Sequence, residues 1–157
     1  PASIAAIAGV YQQCWQIYST LPGFAGAIKR DTQVLQAQQD RVVDSATYLS
    51  EHMGECPVLV VGCTTRPRVD AVPVAQAASA LANILPAMWS FMLAARARGL
   101  GTAWTTIHLM KEQAVADIVD IPFDTVQQVC LTPLAFTRGT DFKAAERPDP
   151  DTVIDWR

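Results

Sequence analysis

Two short stretches carry the residues best suited to chemistry. In the first, Gly99-Leu100-Gly101-Thr102-Ala103-Trp104 closes a long uncharged run and opens into Thr105-Thr106-Ile107-His108-Leu109. A helix that ends at a glycine pair, followed by small residues and a chain reversal, leaves backbone amides bare enough to meet a flat ligand. In the second, Lys143 and Arg147 stand among prolines, near enough in sequence to clamp one anion. A guanidinium on a phosphate makes a strong charge-assisted bond. A hydrophobic platform with a phosphate clamp is what a flavin nucleotide requires. Each half also has a plainer reading: an ordinary loop after a helix, and a solvated charge pair in a tail.

The other reactive side chains are sparse. His108 lies beside the platform loop and is the candidate substrate contact, whereas His52 falls near the end of an amphipathic stretch, where a cation suits the helix dipole. Cys14, Cys56, Cys63 and Cys130 are scattered, with no Cys-x-x-Cys pair. They read as buried, reduced thiols of a cytoplasmic protein. No Ser-His-Asp set, paired carboxylates or closely spaced metal ligands occur, so no catalytic side chain and no metal are assigned. That pattern suits a flavoenzyme, in which the cofactor carries the redox chemistry, and equally a protein without catalysis.

These groups need elements to position them. The 157 residues are one domain's worth, half of them hydrophobic and 17% charged, with a net charge of -3. An apolar composition of this kind points to burial beyond one subunit. The lack of a basic stripe argues against nucleic acid and anionic membrane surfaces as partners. Residues 71–95 carry no charge, but Gln76, Ser79, Asn83 and Ser90 interrupt them and Pro73 and Pro86 bend them. They read as a helix at the centre of a globular or dimeric core rather than a membrane span. The chain begins at Pro1 rather than Met, so upstream sequence is expected, and these residues alone are expected to be poorly stable.

The pattern predicts a helix over 3–19, with Ile4, Ile7, Tyr11, Trp15 and Tyr18 at helical spacing. Residues 24–39 turn polar and read as a mobile, partly helical excursion able to cover a site. A second helix is expected over 42–54, marked by Val42, Ala46, Leu49 and Met53. Residues 57–63 form a β-branched run typical of a strand covered on both faces. A long helix over 74–98 follows, kinked at Pro86, then a short helix over 111–119 stopped by Ile121-Pro122. Residues 127–136 read as a strand broken late by Pro133, and 153–154 as a brief final strand. Trp15 and Trp89 are assigned to the core, Trp104 to packing, and Trp156 to the tail or a partner contact.

Several of these stretches resemble the nitroreductase family. They are Asp44-Ser45-Ala46-Thr47-Tyr48-Leu49, then Pro57-Val58-Leu59-Val60-Val61, residues 83–104 with Trp89-Ser90 and Arg98-Gly99-Leu100-Gly101, Trp104-Thr105-Thr106, Ile121-Pro122, and residues 143–148. The likeness is greatest to the actinobacterial branch and lacks the family's N-terminal arginine phosphate motif. It implies an α+β, three-layer fold in which a mostly antiparallel sheet is flanked by helices and a long central helix sits at a dimer interface. The single domain, 1–157, would be the C-terminal part of that fold.

The resemblance further implies an FMN-dependent NAD(P)H oxidoreductase acting on a nitroaromatic, quinone or similar acceptor. The backbone around Thr105, Thr106 and Ile107 would face the flavin ring. Lys143 and Arg147 would meet its phosphate, and Met88, Phe91 and Met92 would pack against a second copy. Glu146 sits where a lysine often stands in the family, which keeps open a non-catalytic flavin-binding or structural protein. A specialised flavoenzyme, distinguished by residues 24–39, is a third expectation.

Overall fold

A computed structural model describes residues 2–65, 68–139, 142 and 144–157. The first helix, α1 (Ala2–Tyr18), forms where Ile4, Ile7, Tyr11 and Cys14 recur every three or four residues and bury one stripe. The second, α2, runs from Gln33 to His52, with the Thr32 hydroxyl capping it by accepting from the Leu35 N–H. Strand β1 (Val58–Thr64) then leads to the long helix α3 (Val74–Arg96). Strand β2 (Leu100–Thr102), helix α4 (Glu112–Ile118) and strand β3 (Gln127–Phe136) complete the set. A 3-10 turn, Ile107–Lys111, enters α4.

The three strands form an antiparallel sheet in the order β1-β3-β2. Its faces are covered by different helices. Leu131 of β3 packs with Ile7 and Tyr11 of α1 and Val115 of α4, around Met53. Gly62 and Cys130, paired across β1 and β3, face α3 instead. A Cβ on Gly62 would stand 2.9 Å from both the Cys130 Sγ and the Met88 Cγ. The expected α+β fold, helices on both sides of an antiparallel sheet, is therefore what the chain adopts.

A β-bulge sits beside this contact. Gly62 pairs with Cys130 but Cys63 pairs with Gln128, so β3 advances two residues for one on β1. The bulge turns Gln128 toward α4, where its side chain donates to the Glu112 carbonyl.

Four differences from the sequence expectations have physical reasons. Pro133 does not break β3, because it acts only on the side facing β2. Leu131 exchanges both backbone bonds with Thr105, at 2.9 and 3.0 Å, so Pro133, two residues on, turns the same edge toward Ala103. Having no N–H, it cannot bond there. The β2 ladder stops at Thr102 and resumes at the Thr105–Leu131 bridge in the same register.

The start of α2 lies nine residues earlier than expected, because the one buried position in its early turns is the polar Gln39. No final strand forms among the described residues at 153–154, where Val153 follows a 3-10 turn at Pro150–Thr152 and is exposed.

The fourth difference concerns α3, which holds Pro86 inside it and buries only Ala80, Met88 and Ala95 fully. A sheet covers one stripe of a helix and no more. Met88, expected at a contact between copies, points into the sheet of its own chain. Trp89, expected in the core, is 57% exposed beside Leu93 at 54%. By length and composition α3 is also apolar enough to cross a membrane.

Candidate functional site

A cleft of about 780 Å³ opens where α1, α2, the segment after β2 and the C-terminal tail meet. Its volume lies within the range typical of small-molecule sites, roughly 300–1,000 Å³. From α1 it takes Tyr11, Trp15 and Tyr18, which the helical repeat sets on one side. Trp15 and Tyr18 close with Phe24 into a three-ring cluster, with ring centroids 5.3–5.8 Å apart. Arg41, Ser45 and Leu49 come from α2, and residues 103–107 form the opposite wall.

Position by position, residues 105–107 differ. Thr105 is pinned. Its backbone bridges to Leu131 and its hydroxyl shares a 2.8 Å hydrogen bond with the buried Tyr11 hydroxyl. Burial raises the Tyr11 pKa, and the bond to Thr105 partly offsets the rise. Thr106 is exposed, its carbonyl accepts from the Leu109 N–H, and its own N–H has no partner among the described residues. Ile107 begins the 3-10 turn, so its N–H is one of the donors such a turn leaves free. A fixed residue thus holds free amides at the cleft wall, an arrangement suited to an acceptor atom on a flat ligand.

Arg147 lines a neighbouring cleft of about 980 Å³ rather than this one. The two share Gln38 and Val42 of α2. The structure therefore puts the platform loop and Arg147 on one flank of α2, in adjoining hollows. Lys143 lies outside the described residues.

His108 does not line either cleft. It is fully buried behind the platform loop, and neither ring nitrogen has a hydrogen-bond partner. Burial lowers its pKa to about 4, against a smaller opposing pull from Glu112. A neutral, enclosed imidazole is a core residue, so the substrate contact expected of His108 is corrected on grounds of access.

Sequence reasoning missed several of these residues. The cleft side of α1 looked like ordinary amphipathic packing, and only its run of three aromatics, Tyr11, Trp15 and Tyr18, marks it. Arg41 lay just ahead of the expected start of α2. The second missed feature is a buried ionic network away from the clefts. Glu112 accepts from Arg68 Nη2 at 2.7 Å and Nη1 at 3.3 Å, from Gln127 Nε2, and from the Gln128 N–H at 2.8 Å. Arg68 and Glu112 are 44 residues apart in sequence, and no spacing signal joins them.

Comparison with known proteins then bears on this arrangement. The family model described as Nitroreductase family matches residues 11–136. That span is most of the chain and holds α2, α3, the whole sheet and the platform loop; Lys143 and Arg147 fall beyond it. No curated protein and no solved structure matches the chain.

Proposed function

The chain belongs to the nitroreductase family, whose members are flavin-dependent oxidoreductases, and from that premise we propose that it uses FMN to pass hydride from NAD(P)H to a nitroaromatic, quinone or similar acceptor. The observation that carries this reading is the pair of free amides at Thr106 and Ile107, held at the wall of an aromatic cleft by the pinned Thr105.

The residues present fit a flavin in three respects. The cleft has the volume for a fused ring. Its walls are mostly apolar and aromatic, with few polar groups. Thr106 also offers an unpaired N–H where a ring nitrogen would need a donor. FMN, when bound, supplies the two-electron redox chemistry. Trp15 and Tyr18 would exclude water from one side of the cleft, and the Tyr11–Thr105 bond would keep the amides aimed. Arg147 would hold the phosphate from the adjoining hollow.

The exposed side of α3, with Trp89 and Leu93, supports a homodimer formed across that helix. The polar Gln76, Ser79 and Asn83 on the same helix argue for a protein partner over lipid. Four free thiols fit a reducing, cytoplasmic compartment.

Titrating the purified chain with FMN tests the proposal. Flavin fluorescence should change, the melting temperature should rise, and NADH or NADPH should be oxidised when a quinone is added. No spectral change together with an unmoved melting temperature would sink it. A second reading, flavin binding without turnover, is favoured by Glu146, a carboxylate lining the same hollow as Arg147. Measurable quinone reduction would eliminate that one.

A further inference from the structure

Two adjacent glutamines on α2 hold two arginines at one hollow. Gln39 is buried, only 7% exposed. Its Oε1 accepts from both Nε and Nη2 of Arg30, at 3.0 and 2.7 Å, and its Nε2 donates to the Ala25 carbonyl at 2.8 Å. The Arg30 N–H donates to Gln36 Oε1 at 3.0 Å, which fixes the backbone as well. Gln38 Oε1 accepts from the Glu146 N–H at 2.7 Å, fastening the tail to α2 one residue before Arg147. Arg30 and Arg147 both line the 980 Å³ hollow next to the platform cleft.

The partners chosen here matter. An amide orients a guanidinium without cancelling its charge, and among the described residues it leaves the Nη1 donors of Arg30 unused. Among the described residues neither arginine forms an ion pair. The one carboxylate lining the hollow is Glu146, so the wall keeps a net positive charge. Val34, Leu35 and Val42 add an apolar side, suited to the carbon skeleton of a sugar or sugar alcohol. One fixed fork, Arg30, and a second arginine on a tethered tail, beside an apolar wall, match a phosphate monoester on such a skeleton.

We propose that Arg30 and Arg147 jointly bind a phosphate monoester, with Arg30 aimed by Gln39. The phosphate has two possible sources, the 5′-phosphate of FMN and the 2′-phosphate of NADPH. The first source rests on the flavin reading above, and the second does not.

Calorimetric affinities for two ligand pairs, FMN against riboflavin and NADPH against NADH, test this without requiring turnover. In Arg30→Gln and in Arg147→Gln, the preference for the phosphorylated member of one pair should fall about tenfold or more, the scale of one lost charge-assisted bond. Riboflavin and NADH affinities should stay within about twofold, since neither offers a phosphate monoester at the position tested. Gln39→Leu, which keeps the Arg30 charge but removes its support, should lower the same preference less. Glu146→Gln should raise it.

A fall confined to the flavin pair assigns the hollow to FMN, and a fall confined to the nicotinamide pair assigns it to NADPH. Unchanged preferences in Arg30→Gln, or equal losses for both members of a pair, overturn the proposal. If flavins bind and neither pair's preference changes in Arg30→Gln, the proposal falls while the flavin reading survives. If no flavin binds but the NADPH preference depends on Arg30, the reverse holds. Binding of none of the four ligands removes both.

Discussion

Arg68 and Arg30 are both oriented arginines in one small chain, yet they are held by opposite kinds of partner. Arg68 meets the Glu112 carboxylate through both Nη atoms, donates to the Phe123 carbonyl at 3.2 Å, and lies 4.1 Å over the Phe123 ring. Its side chain is 18% exposed and that of Glu112 8%. The two charges answer each other within the chain, and the hydrogen bond to Glu112 raises the Arg68 pKa further. Arg30 is exposed and, among the described residues, its guanidinium meets only the neutral amide oxygen of Gln39. A carboxylate partner makes an arginine part of the framework. An amide partner fixes its direction and leaves its charge for something else.

The sharpest way to break this contrast is Arg68→Ala, which strands the buried Glu112 carboxylate. Stability should drop by about 3–5 kcal/mol in chemical denaturation, with FMN affinity of the folded fraction unchanged. A loss under 1 kcal/mol would show the network to be slack, because even one typical hydrogen bond is worth about that much. Next comes acid. His108 has an ordinary pKa of 6.5 that burial lowers to about 4, so between those values the unfolded chain binds a proton that the folded chain excludes. Its contribution is full above pH 6.5 and is lost as pH falls toward 4, by about 3 kcal/mol in all. His108→Leu should flatten that limb of the stability curve, and equal slopes in the two proteins would count against it.

On the ligand side, Arg147→Ala should weaken FMN by about 1.5–3 kcal/mol, the scale of a hydrogen bond to a charged group, with little change in melting temperature. An unaltered dissociation constant would remove Arg147 from the site. The smallest effect belongs to Tyr11→Phe, which deletes the hydroxyl bonded to Thr105. About 1 kcal/mol of stability should go, and riboflavin and FMN should weaken equally, since the amides they share lose their support. Selective loss of FMN alone would contradict that role.

Much of this framework was readable from residue patterns. Elements with an apolar stripe or run, α1, β1, α3 and β3, announce themselves because burial there is carried by apolar side chains. The first third of α2 does not, because Gln39 fills a buried slot and is satisfied by a bond to the Ala25 carbonyl, 14 residues away. Hydrophobic period cannot register a buried glutamine. The platform loop was legible through its glycines and the family likeness. Arg30 was not, since its meaning depends on which amide it meets, nine residues along the chain. Pro133 was seen, but whether a proline ends a strand or merely silences one edge depends on which neighbour that edge faces.

That silent edge has a consequence for ligand access. Ala103 borders both the platform cleft and the hollow beside α3, and it lies where the sheet would otherwise zip shut. A residue with an N–H at position 133 would supply the donor that the ladder lacks between Thr102 and Thr105, at the stretch that also lines the cleft.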